Sequence, residues 1–192
     1  MNKVLIGGIV GGVVLFIWSA LVWTVVPLHK PSLHNIPNEE AVIGALKANM
    51  GEKGLYVFPA MPDMGAGQTS ADAYTQKMKQ GPVGVIVFDP QGMDSMMPGQ
   101  FIVGFLLDLV AALLAAWLLS RSTALASPYV SRVMFCGVLG IFASFISFLP
   151  GWNWMGYPMD YTTAMVADTI LGWLITGLVI AAIVKAPATQ QA

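Results

Sequence analysis

Four apolar runs, at residues 4–26, 101–119, 133–149 and 163–184, constrain this chain more than anything else in it. Each is close to the ~20 residues a helix needs to cross a ~30 Å hydrocarbon core. In lipid the backbone must satisfy its own hydrogen bonds, so such runs fold as helices. Of the 192 residues, 56% are hydrophobic and only 10% charged, against ~25% charged in a typical soluble domain. The expected fold is an α-helical integral membrane protein of four transmembrane helices. A small α/β insertion is expected between helices 1 and 2.

The first run is longer than the ~7–15 apolar residues of a secretory signal, and no convincing small-x-small cleavage site follows it. It reads as a retained span. Lysine and arginine placement sets the expected orientation. Lys3, Arg121, Arg132 and Lys185 flank ends that share one side when four spans alternate, whereas residues 150–162 contain neither residue type. Both termini, including the tail 185–192, are therefore expected in the cytoplasm. Residues 27–100 and the aromatic loop 150–162 are expected on the outer side, the periplasm of a bacterial inner membrane. A net charge of −1 and the absence of nucleic-acid motifs argue against a nucleic-acid partner. A single cysteine, Cys136, excludes an intrachain disulfide and any multi-cysteine metal or redox motif.

Within span one, Gly7, Gly8, Gly11 and Gly12 form two overlapping small-x-x-x-small pairs. Such pairs let another helix backbone approach closely. Outside the spans, Asn38 followed by Glu39 and Glu40 predicts a helix start. Gly54–Pro59 reads as a strand, residues 70–79 as a helix and 82–88 as a buried apolar strand. Two strands and two short helices make a small core of marginal size.

Three groups of residues have chemistry to offer. Asp108 and Asp168 lie in spans two and four, roughly 8–11 Å below the outer boundary at ~1.5 Å per residue. Ser144 and Ser147 fall at a comparable depth. A carboxylate in hydrocarbon must be protonated, paired or turned to a polar cavity. The four residues are thus candidates for a shared proton or cation site. Each aspartate can equally be read as bonding a hydroxyl, a Trp N–H or backbone. The second group is His29 and His34 with Glu39 and Glu40, nitrogen and oxygen donors without a recognised metal spacing. The third is Met61, Met64, Met93, Met96 and Met97, soft Cu(I)-type ligands or adaptable contact residues. No cofactor is implied by motif, though bound lipid is expected. No G-x-S-x-G, H-E-x-x-H or P-loop is present, so a non-enzyme is expected.

The segments Trp23-Thr24-Val25-Val26-Pro27-Leu28-His29, Asn38-Glu39-Glu40-Ala41-Val42 and Gly54-Leu55-Tyr56-Val57-Phe58-Pro59 resemble a pattern in small four-span bacterial inner-membrane proteins of no assigned activity. The resemblance extends to the aromatic loop and to Asp168 in the last span. It implies a bacterial inner-membrane location, and no site residue comes with it.

Three functions are compatible with these features. The glycine face, the small cap and the methionine-rich loops favour a non-catalytic accessory or structural subunit of a larger inner-membrane complex, respiratory or photosynthetic, with protein partners beside membrane lipids. The alternatives are a small proton- or cation-coupled carrier using Asp108 and Asp168, and extracytoplasmic Cu(I) handling by the methionines.

Overall fold

The computed structural model describes residues 3–63, 65, 67–93 and 97–186. Among them, four helices are long and apolar enough to cross a membrane. They are α1 (Lys3–Thr24), α4 (Pro98–Arg121), α5 (Tyr129–Ser147, continued by the short α6, Leu149–Met155) and α7 (Met159–Ile183). Between α1 and α4 in the chain come α2 (Glu39–Asn49), β1 (Gly54–Phe58), α3 (Gln68–Gln80) and β2 (Gly84–Phe88). The chain divides into two compact units, one of residues 1–33, 96–150 and 159–192, the other of residues 34–95 and 151–158.

In the helical unit, small residues set the spacing. A Cβ at Gly8 would lie 2.8 Å from the Leu113 Cα, and one at Gly12 would lie 2.7 Å from the Leu109 Cα. That face of α1 therefore lies backbone to backbone on α4. Gly7 and Gly11, each one residue earlier, instead abut Val184, just past the end of α7, and Ile180 within it. The four glycines thus serve two neighbours, both spans of this same chain. Phe16 meets Phe105 edge-on at 5.6 Å, so α1 and α4 run antiparallel. The α5–α7 contact is built the same way: Gly140 accommodates the Trp173 Cβ, and Gly177 accommodates Cys136. The dry core lies toward the start of α1, where Ala112, Ala115, Ala116, Leu119, Cys136, Ile180 and Val184 cluster.

The helices extend past the apolar runs because hydropathy marks lipid depth, whereas helix ends are decided by the backbone. Pro98 opens α4 at a position where its missing N–H costs nothing. The expected loop 150–162 is helical through Met155. At the other end, Arg132, taken from the sequence as a flanking inner-side charge, is buried in the first turn of α5. Its Nε and Nη2 donate to the Ala181 carbonyl at 3.2 and 3.1 Å, and Nη1 donates to the Ser127 carbonyl. The guanidinium thereby supplies donors to the last turn of α7, whose carbonyls lack intrahelical partners.

In the second unit β1 and β2 pair antiparallel, with Tyr56 opposite Ile86. Asn38 caps α2 by accepting from the Ala41 N–H at 3.4 Å. The expected burial of residues 82–88 is only partial. Phe88 is buried but Val87 is 83% exposed, because a two-stranded sheet has too few neighbours to cover both faces. Lys53 and Asp89 pair at 2.8 Å, next to the Gly54–Phe88 end of the two-stranded ladder. The Lys53 ammonium, with the Gln91 N–H, holds the Asp89 carboxyl below its ordinary range. A carboxyl whose folded value lies below its unfolded value stabilises the fold above the unfolded value, ~3.9 for Asp. That contribution is lost as pH falls through the lower folded value. The acid-unfolding limb below about pH 4 is therefore expected to move upward in Lys53→Met, read by circular dichroism during acid titration.

Candidate functional site

Asp108 of α4 and Asp168 of α7 line one cavity of about 210 Å³, together with Leu15, Trp18, Ser19, Ala111, Thr169, Gly172 and Trp173. The cavity sits where α1, α4 and α7 meet, and all its walls belong to the helical unit. Ser144 and Ser147, placed by the sequence at the same depth, do not join it. The Ser144 hydroxyl is buried and donates to the Gly140 carbonyl at 2.7 Å, and Ser147 is exposed. Both lie on α5, which does not border the cavity.

Asp168 is held by groups far from it in the chain. Trp18 Nε1 donates to Oδ1 at 2.7 Å and approaches the Asp168 carbonyl at 3.3 Å. His29 Nε2 lies 3.0 Å from Oδ2. With the proton on Nε2, the imidazole donates to the carboxylate. The His29 ring is 2% exposed and stacks on Trp23 with centroids 4.2 Å apart. Gly172 makes room for the arrangement, since a Cβ there would lie 2.8 Å from Trp18 Cδ1. Asp108, by contrast, makes no hydrogen bond among the described residues and is only half-buried. The pair is therefore asymmetric: one carboxylate is fixed by two donors, and the other is free to take a proton or a cation.

The histidine–glutamate group does not assemble. His29 is committed to Asp168, and His34 is exposed and belongs to the other unit, as do Glu39 and Glu40. Among the described residues no three His, Cys, Asp or Glu side chains come together as a metal site would require. Of the methionines, Met61 lines an apolar groove of about 210 Å³ within the second unit, beside Phe58, Tyr74, Met78 and Trp154. Met93 and Met97 are exposed, and Met64 and Met96 lie outside the described residues.

A Trp N–H was among the partners the sequence offers each aspartate, and Trp18 is that partner for Asp168; His29 as its second partner was not legible there. His29 was read as lying beyond the membrane, yet it follows the end of α1 closely enough for its ring to reach back to the opening turns of α7. No protein-family model, curated protein or solved structure matches this chain.

Proposed function

We propose that the protein is a small proton-coupled carrier in which Asp108 and Asp168 handle the ion. The observation that carries this reading is the shared cavity of the two carboxylates at membrane depth, with no lysine or arginine lining it. Two carboxylates facing one small space repel, and sharing a proton or admitting a cation relieves that repulsion. Polar groups at that depth are expensive unless they serve a path or a pair. Here Asp168 has its pair, and Asp108 has only the cavity. The indoles of Trp18 and Trp173 in the wall suit a cationic cargo, because ring faces attract cations.

The location proposed is a bacterial inner membrane with both termini cytoplasmic and residues 27–100 periplasmic. The distribution of Lys3, Arg121 and Lys185 supports it. The test is proton flux into liposomes carrying a trapped pH dye after an imposed pH step. Wild type should equilibrate quickly, and Asp108→Asn and Asp168→Asn should each lose most of the rate. A double variant as fast as wild type would dismiss the reading.

A second reading, an accessory subunit of a larger inner-membrane complex, draws support from the groove of the second unit. Its rim carries the 78%-exposed indole of Trp154 and the 64%-exposed Met61, residue types common at protein contacts. A native-mass determination after gentle extraction separates the two: a stoichiometric partner favours the subunit, and a lone chain or small homo-oligomer favours the carrier.

A further inference from the structure

We infer that His29 is the proton relay that loads and unloads Asp168 from a cavity of its own. This rests on the carrier reading and adds the route by which protons reach the site. One ring nitrogen of His29, Nε2, is on Asp168. The other, Nδ1, is buried and has no hydrogen-bond partner among the described residues. Buried polar atoms are nearly always satisfied, so an orphan nitrogen on a functional-site imidazole calls for a partner from outside the protein. His29 also forms part of the wall of a second cavity, about 320 Å³, lined by residues 22–27, 29, 30 and 33 around the end of α1. That volume is ample for water. The two cavities share no lining residue. The hydrogen bond from His29 to Asp168 is therefore the link between them.

The charged groups around the imidazole are few. Asp168 faces it from α7, and Lys30 shares its cavity from the same turn. Trp23 stacks on the ring and Val22 lines the same cavity, and neither carries a charge. Asp108 of α4 lies on the far side, in the cavity Asp168 lines.

A hydronium ion in the outer cavity gives its proton to the Nδ1 lone pair, leaving water and an imidazolium. The Nε2–H proton passes to Asp168 Oδ2, leaving a neutral carboxyl and a neutral imidazole protonated at Nδ1. Unloading is the reverse. When Asp168 instead releases its proton to Asp108 or to water in the carboxylate cavity, the imidazole resets by swinging off Asp168 into the outer cavity, where it gives its Nδ1 proton to water and takes one from that water at Nε2. Stacking on Trp23 returns the ring to line.

The test uses the whole protein in phosphatidylcholine–phosphatidylglycerol liposomes with a trapped pH dye. His29→Ala should slow proton flux at least about tenfold, the low end of what a positioned acid–base group contributes. Free imidazole should restore the rate, because the excised ring leaves a hole open to the outer cavity. Pyrrole, of the same shape but without a basic nitrogen, should not. Flux that requires Asp168 yet is unchanged in His29→Ala, or is slowed and not rescued by imidazole in a folded variant, overturns the relay and leaves the carrier standing. No proton flux in wild type overturns both. Should His29→Ala fail to fold, ¹⁵N-histidine spectra of wild type decide: Nδ1 should change from bare to protonated across the pH range in which flux changes. A constant Nδ1 signal across that range overturns the relay.

Discussion

Asp168→Ala is expected to be the most damaging single substitution in the membrane-spanning part, costing about 2–6 kcal/mol through two orphaned donors. The side chain is 13% exposed and its partner His29 3%, so the pair is largely shielded from bulk solvent. Two donors would be orphaned at once, the Trp18 indole N–H and the imidazole N–H of His29. Each unsatisfied buried donor costs ~1–3 kcal/mol in its own right. Asp168→Asn separates structure from chemistry. Its amide oxygen still accepts from Trp18 and its size is unchanged, so the thermal midpoint should move far less than in Asp168→Ala, while proton flux should fall as completely. The comparison is made by thermal unfolding in detergent beside flux in liposomes. Equal midpoints for the two variants would show that the hydrogen bonds of Asp168 contribute little to the fold.

Gly12→Val is expected to destabilise the helical unit by about 1–3 kcal/mol through overpacking. The first atom added would already lie 2.7 Å from a backbone atom, the Leu109 Cα, with Leu109 Cδ1 and Cβ at 3.2 and 3.3 Å. A side chain can turn aside, but a helix backbone has to move as a whole. Moving α4 away from α1 also moves Asp108 relative to Trp18 and Ser19, the α1 residues that share its cavity. The variant should therefore lose flux as well as stability. Gly44→Ala in α2 is the control, because nothing lies within 4 Å of its added Cβ. It should be neutral or slightly stabilising, since alanine is the better helix former. Similar losses in both variants would show that tight α1–α4 packing is not what Gly12 provides.

Much of the architecture was legible because it depends on local or one-dimensional properties. Apolar runs of membrane length at residues 4–26, 101–119 and 163–184 can only be helices in lipid. Asn38 with two glutamates after it marks a helix start through its own backbone hydrogen bonding. The alternation of helix and strand signals between residues 38 and 88 follows from local propensity. The site was legible only in part. Asp108 and Asp168 are conspicuous because a carboxylate is costly at that depth. Ser144 looked equivalent because depth was the only coordinate available, and its hydroxyl in fact satisfies itself on the preceding turn.

The sequence by itself determined the four long apolar helices, a small two-stranded sheet and two aspartates that need an explanation, because hydropathy and local backbone chemistry are written residue by residue. Which faces of those helices meet is a different kind of fact. An apolar helix in an apolar surround carries no strong periodic signal to fix its rotation. Only the close approach at Gly8, Gly12, Gly140 and Gly177 settles it. That rotation turns Asp108 and Asp168 into one cavity and sends Ser147 out of it. It also sets Trp18 and His29 against a carboxylate 150 and 139 residues away, a distance at which tertiary packing alone decides what touches.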